Sequence, residues 1–264
     1  MENNPGRSIH LKIWRQESRS QAGQFEEFKL PYKPKMNVIS CLQEIQRNPV
    51  TADGKKTTPV IWDSNCLEEV CGSCTMRING KVRMACSTLI DKLEQPITLQ
   101  PLSKFPLDRD LAVDRDRMFE GLKQVKAWVQ LDGTHNIGPA PRQSGAEQSV
   151  RYELSCCMTC ACCVEACPQY LKGNRFIGAA AISQARLFNL HPSGAMNAAD
   201  RLAGVMAEGG IQECGKAQVC VEACPKQIPL TTSISAMNRQ VSKQILKDLF
   251  SKDDPSAHAS SGPG

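Results

Sequence analysis

Nowhere does this chain of 264 residues hold an apolar run of the ~18 to 20 residues needed to cross a bilayer, so any membrane attachment is expected to come from a partner. The opening residues Met1 to Arg7 have no basic start followed by an apolar stretch. An export signal is therefore not expected, and the thiols are expected to sit in a reducing cytoplasm. No Gly-rich dinucleotide loop, phosphate-binding loop or Ser/His/Asp arrangement is present in the sequence, and the histidines fall singly at His10, His135, His191 and His258. Each histidine is read as structural or exposed, and bond-making catalysis is not expected of this chain alone. Charge is mild, with 32 Lys and Arg against 27 Asp and Glu, a net +5 and no long basic run. That balance argues against a nucleic-acid partner.

What the chain has in excess is cysteine: 14 residues, to be divided among disulfides, zinc ligands, cluster ligands and plain core positions. With 41% hydrophobic and 22% charged residues the rest is ordinary globular composition, with room for two modest cores.

Two periodicities divide the chain. Ser8 to Arg15 and Phe25 to Leu30 alternate apolar and polar residues, which predicts two half-buried strands. Asn37 is a candidate cap for a short helix carrying Val38, Leu42 and Ile45. Asn79-Gly80 lies between alternating runs in Thr75 to Met84, the signature of a tight hairpin, and Ile97 to Leu99 reads as a further strand. A small α+β domain is expected over residues 1–104. After a connector, Phe105 to Leu111, the pattern turns helical. Met118, Leu122, Val125 and Val129 line one face, with Phe119 and Trp128 flanking it, and helices are also expected over Gly178 to Leu190, Ala198 to Glu208 and Ser233 to Phe250. Gly133 to Gly145 reads as loop. The second domain is expected over 105–250 and a disordered tail over 251–264.

Cys66, Cys71, Cys74 and Cys86 have four, two and eleven residues between them, the plant-type spacing for a two-iron cluster. Three of these ligands crowd one loop, and Gly72 is expected to let the backbone pass close to inorganic sulfide. Four thiolates also permit zinc, but structural zinc favours two separated Cys pairs.

Cys157, Cys160, Cys163 and Cys167-Pro168 follow the bacterial ferredoxin spacing of two, two and three, whose last Cys serves a neighbouring cluster. Cys214, Cys220 and Cys224-Pro225 form the second run, with five and three residues between them. Laid over the first run, the second has Ala217 where the first has Cys160. Exchanging the last ligands gives Cys157, Cys160, Cys163 and Cys224 to a four-iron, four-sulfide cluster. It leaves Cys167, Cys214 and Cys220 for the other, which is expected to be a three-iron, four-sulfide cluster unless another ligand fills the corner. Fewer thiolates mean less negative charge, so the three-iron centre is expected to be the more readily reduced of the pair. Cys41, Cys156 and Cys162 are read as small packing residues, the last two also as alternates to their neighbours.

The fold class implied is α+β: a plant-type ferredoxin-like (β-grasp) domain followed by an all-α helical ferredoxin domain. Three centres on one polypeptide make sense as a wire between a donor and an acceptor on other subunits. Together with Asn65 to Cys74, Pro101 to Leu111 and Arg186 to Pro192, this arrangement resembles the iron–sulfur subunits of succinate dehydrogenase and fumarate reductase, in the form of Gram-positive bacteria. The likeness runs from about Ile9 to Phe250. It implies a flavoprotein partner with covalent FAD, a membrane anchor with haem b, and menaquinone as acceptor, at the cytoplasmic face of the cell membrane. Fumarate reduction is the same machine run backwards. A free multi-cluster ferredoxin is the reading of another class, against which stand the charge of +5 and the 46 residues between Cys167 and Cys214. Ubiquinone-linked relatives carry Trp after the first Cys-Pro and His after the residue matching Cys214. Here Gln169, Tyr170, Leu171 and Lys172 follow Pro168, and Gly215 follows Cys214. Quinone contacts are therefore expected chiefly from the anchor. Lys172 and Arg175 are read either as facing the anchor or anionic lipid, or as solvated charges.

Overall fold

The computed structural model describes residues 7–130 and 143–252. Its first half is a mixed sheet with one helix on it. Strands β1 (Ser8–Arg15) and β2 (Gln24–Pro31) form an antiparallel pair. Helix α1 (Val38–Arg47) follows, then the hairpin β3 (Thr75–Ile78) and β4 (Lys81–Met84), and β5 (Ile97–Gln100). The strand order is β2-β1-β5-β3-β4, with β1 and β5 parallel. The alternation in β1 has its physical cause here: Ile9, Leu11 and Ile13 point into the core that Val38, Leu42 and Ile45 of α1 close from above. Asn37 caps α1 as expected, its Oδ1 accepting from Ser40 N at 2.8 Å, and its amide also donates to the Cys86 carbonyl at 2.8 Å. Asn79 and Gly80 take φ of 47° and 75°, the left-handed pair that a two-residue hairpin turn requires.

The connector is more structured than its composition implies. It holds a two-stranded ribbon, β6 (Leu107–Arg109) and β7 (Ala112–Val113). Leu102 and Phe105 are buried in the helical core, whereas Leu111 is buried in the sheet core. Asp110, 2% exposed, accepts from Arg15 Nε at 3.2 Å and from the amides of Gln16 and Ile61 at 3.0 Å each. The segment is thus a strap stitched into both halves.

Helices α2 (Asp116–Gln124), α3 (Gly145–Ser155), α4 (Cys162–Ala166), α5 (Gly178–Leu190), α6 (Ala198–Met206), α7 (Val219–Glu222) and α8 (Leu230–Lys252) build the second half. Three sequence expectations need correction. Helix α2 stops at Gln124: Lys126 turns left-handed at φ 46°, Val125 stays buried in the turn, and Val129 lies outside the helix. Buried Arg201 holds this ending, donating to the Lys126 and Trp128 carbonyls at 3.0 and 2.9 Å. The second correction is α3, which begins at Gly145, the last residue of the expected loop. Ser144 caps it reciprocally with Glu147, a capping box whose sequence sign, Ser followed three residues later by Glu, was there to be read. The rest of that loop, over 131–142, lies outside the described residues. Third, α8 extends to Lys252, past the expected start of the tail, and residues 253–264 lie outside the described residues. Among the described residues no helix is long and apolar enough to cross a membrane.

Candidate cysteine sites for iron–sulfur clusters

The first group is assembled by the hairpin. Cys74 immediately precedes β3 and Cys86 lies two residues past the end of β4, so the β3–β4 register carries one toward the other, and Ala85 N donates to Cys74 O at 3.1 Å. Cys66 and Cys71 come from the loop before β3, which turns left-handed at Leu67, Glu69 and Gly72. Those turns aim amides at sulfur. Cys66 Sγ accepts from Val70 N and Cys71 N at 3.3 Å each, and Cys71 Sγ from Cys66 N and Ser73 N at 3.5 Å each. The Cys66 and Ser73 donors hold the Cys71 thiol down to about 6. Burial pushes Cys74, beside Cys86, up to about 12. A loop whose amides converge on sulfur is suited to a centre with excess negative charge.

The structure shows a further reason for glycine at position 72. A β-carbon there would lie 2.6 Å from Cys160 Cβ and 2.7 Å from Cys160 Cα. The glycine thus lets the first cysteine loop touch the second.

The other two runs share a backbone form. After Cys157, the residues two and four positions on, Thr159 and Ala161, have φ of 52° and 74°. After Cys214, the residues at the same offsets, Lys216 and Gln218, have φ of 56° and 62°. The residue between each pair is Cys160 in the first run and Ala217 in the second. Short helices α4 and α7 leave each turn, at Ala161 and Gln218, and lead to Cys167 and Cys224.

The runs interlock. Burial, then the neighbouring thiols Cys160, Cys157, Cys224 and Cys220, pushes Cys163 well above its ordinary value. Burial, then Cys167 and Cys214, raises Cys220. One small cavity is lined by Cys157, Cys160, Cys163 and Cys224. A separate open cleft of about 840 Å³ is lined by Cys167, Cys214 and Cys220, with Ala217 also on its wall. Four thiols thus share one small cavity, and three share a larger cleft in which Ala217 takes the place of a fourth.

The unassigned cysteines fall apart into separate cases. Cys41 is fully buried in the sheet core, where burial pushes its thiol to about 12. Cys162, 1% exposed, packs into the same core from α4, and half-buried Cys156 donates to the Tyr152 carbonyl at 3.3 Å. Arg175 pairs with Glu208 at 2.5 Å on the surface.

Sequence reasoning missed the residues that hold the strap to the cysteine runs. Glu165, 7% exposed and lying between Cys163 and Cys167, accepts from Ser103 N at 2.8 Å, Ser103 Oγ at 2.6 Å and Lys104 N at 3.2 Å. Lys104 Nζ donates to the carbonyl of Cys167. The only available signal was an acidic residue between two ligands, where an apolar residue would pack more cheaply. Glu165→Ala would leave the Ser103 and Lys104 amides without their acceptor, at a cost of roughly 3 kcal/mol. The expected fall in unfolding midpoint is on the order of 10 °C, measured by thermal denaturation, with a smaller fall for Glu165→Gln.

Fold and sites together define an iron–sulfur electron-transfer protein of two ferredoxin-type halves. A 2Fe-2S iron-sulfur cluster binding domain family matches residues 10–120, and a 4Fe-4S dicluster domain family matches residues 153–228. The succinate dehydrogenase iron-sulfur subunit of Bacillus subtilis is 54% identical over 247 residues, which cover 94% of this chain and 98% of that protein. The fumarate reductase iron-sulfur subunit of Wolinella succinogenes is 30% identical over 241 residues, 89% of this chain and 98% of that protein. Among solved structures, a chain of the Mycobacterium smegmatis Sdh1 complex in the apo form shares the fold, with a TM-score of 0.72 at 23% identity over 94% of this chain and 98% of its own. The chain belongs to the family of succinate dehydrogenase iron–sulfur subunits.

Proposed function

We propose that this chain is the wire of a succinate:menaquinone oxidoreductase, taking electrons singly from FAD on a flavoprotein subunit and delivering them toward menaquinone at a haem b membrane anchor. Cys66, Cys71, Cys74 and Cys86 hold a 2Fe-2S centre. Cys157, Cys160, Cys163 and Cys224 hold a 4Fe-4S centre, and Cys167, Cys214 and Cys220 a 3Fe-4S centre. When bound, these centres supply one-electron chemistry without making or breaking substrate bonds. The protein's part is to fix the sulfurs, aim amides at them and keep the first two sites partly buried. We draw the division of the chain between residues 104 and 105, with the strap belonging to both cores.

The observation that supports the reading is the grouping of thiols across the runs: Cys224 lines one cavity with Cys157, Cys160 and Cys163, and Cys167 lines another with Cys214 and Cys220, as an exchange of last ligands would require. The higher identity to a succinate dehydrogenase subunit than to the fumarate reductase one favours succinate oxidation as the direction. The cytoplasmic face of the membrane is the location this implies, with the anchor as tether. Gln169 and Gly215 border the open cleft, and neither the Trp nor the His of ubiquinone-linked relatives is present beside them, so we assign quinone contacts chiefly to the anchor.

Low-temperature paramagnetic resonance at stepped potentials, on the complex isolated anaerobically from membranes, tests the whole scheme. One signal is expected in the oxidised protein, from the three-iron centre, and two more on reduction. Zinc in place of iron and sulfide, or a soluble monomer free of any flavoprotein, would refute it.

A further inference from the structure

Arg115 lies between β7 and α2, outside every cysteine motif, yet its guanidinium reaches the first cysteine loop. Nη1 donates to the Gly72 carbonyl at 2.8 Å, and Nη2 to the Ser73 carbonyl at 2.6 Å and the Thr75 carbonyl at 3.4 Å. Gly72 is the residue whose Cα faces Cys160 with no room for a β-carbon. One planar fork therefore grips the loop at the point where the first cysteine group meets the second.

The acceptors of this fork are all backbone carbonyls. Among the described residues Arg115 makes no ion pair, so its positive charge is not neutralised by a carboxylate at contact distance. Burial lowers its pKa, and the negative groups opposing that loss are Asp63 first, then Cys160, Cys162 and Cys74. Cys74 belongs to the first group and Cys160 to the second, which puts the guanidinium within electrostatic reach of both. A guanidinium stays charged at any working pH, and in partly buried surroundings its field is weakly screened.

We propose that Arg115 is the positioning residue of the first electron-transfer junction, holding the Gly72 to Thr75 loop against Cys160 and setting a fixed positive charge beside both centres. The inference rests on the cluster assignment given above. In the step concerned, one electron supplied by the partner's flavin would pass from a two-iron centre held by the first cysteine group to a four-iron centre held by the second, with no bond formed or broken. Positive charge near a centre favours its reduced, more negative state. Arg115 therefore raises both potentials together, while the loop contact keeps the path between them short.

The test is a redox titration, followed by low-temperature paramagnetic resonance, of the intact membrane complex carrying Arg115→Met or Arg115→Lys. In the Met variant the ratio of reduced to oxidised protein at fixed potential is expected to fall about tenfold at the two-iron and four-iron centres, a shift of about 59 mV for a one-electron couple. The three-iron centre serves as internal control and is expected to hold its potential. The Lys variant keeps the charge and is expected to recover most of the shift, while the magnetic interaction between the first two centres weakens because the fork is lost. Ratios within twofold of the unaltered complex in the Met variant, or an equal shift at all three centres, would overturn the assignment. Loss of the two-iron signal from both variants would make Arg115 a folding residue and overturn it as well. Absence of the three signals from the unaltered complex would instead sink the cluster reading beneath it.

Discussion

Ala217→Cys is expected to convert the three-iron centre into a four-iron one, raising iron by one atom per chain and abolishing the signal of the oxidised protein. The argument begins with the matching backbones: Lys216 and Gln218 repeat the left-handed turns of Thr159 and Ala161, so residue 217 occupies the place of Cys160. Ala217 is exposed and lines the open cleft, so a sulfur added to its β-carbon meets no packed neighbour and needs no change of fold. An added thiolate brings one more negative charge to the centre. Its potential is expected to fall by well over the ~59 mV of a tenfold change in the one-electron ratio. In the proposed order of flavin, two-iron, four-iron and three-iron centre, this one is the last before the acceptor, so quinone reduction is expected to slow while reduction of the first two centres by succinate continues. Unchanged iron content and potential in the variant would remove the ligand assignment.

The features legible in the sequence were those with a local cause. The period of two in Ser8–Arg15 and the Asn79-Gly80 turn each act within a few residues, and the structure has a strand and a hairpin there. Helix α5 spans Gly178–Leu190, the expected range, because its apolar content and its bounds are local as well. The cysteine spacings were legible for a related reason: a loop that must curl around one object fixes the intervals between its ligands. What could not be read depends on distant partners. Helix α2 ends where Arg201, some 75 residues on, captures the carbonyls beyond it. Helix α3 is polar, with Arg151 and Leu154 its buried residues, so it lacks a strong apolar stripe, and only its capping box announced it. The stretch Phe105 to Leu111 reads as connector because its meaning lies in contacts such as those of Asp110 with Arg15 and Gln16, more than 90 residues away in the chain.

The same distinction governs Gly72: a local reading points to sulfide, whereas its close approach to Cys160 shows only in the fold. Gly72→Ala is expected to disturb electron flow where the first cysteine loop meets the second. Two costs combine. At φ 73° an L side chain is strained by about 1 to 2 kcal/mol. The added carbon would also stand 2.6 and 2.7 Å from Cβ and Cα of Cys160, and backbone cannot swing aside as the end of a flexible side chain can. The loop must retreat, carrying Cys71 and Cys74 away from the second run and pulling against the Arg115 fork. Gly80→Ala separates these costs, because its φ of 75° imposes similar strain while nothing lies within 4 Å of the new carbon. Gly80→Ala is expected to lower the unfolding midpoint by a few degrees, about what 1 kcal/mol does in a chain of this size, and to leave electron transfer intact. Gly72→Ala is expected to lower it further, to weaken the magnetic interaction between the reduced two-iron and four-iron centres, and to cut succinate-driven reduction of the four-iron and three-iron centres at least tenfold. Equal behaviour of the two alanine variants would show that the contact between the cysteine loops does not set the junction.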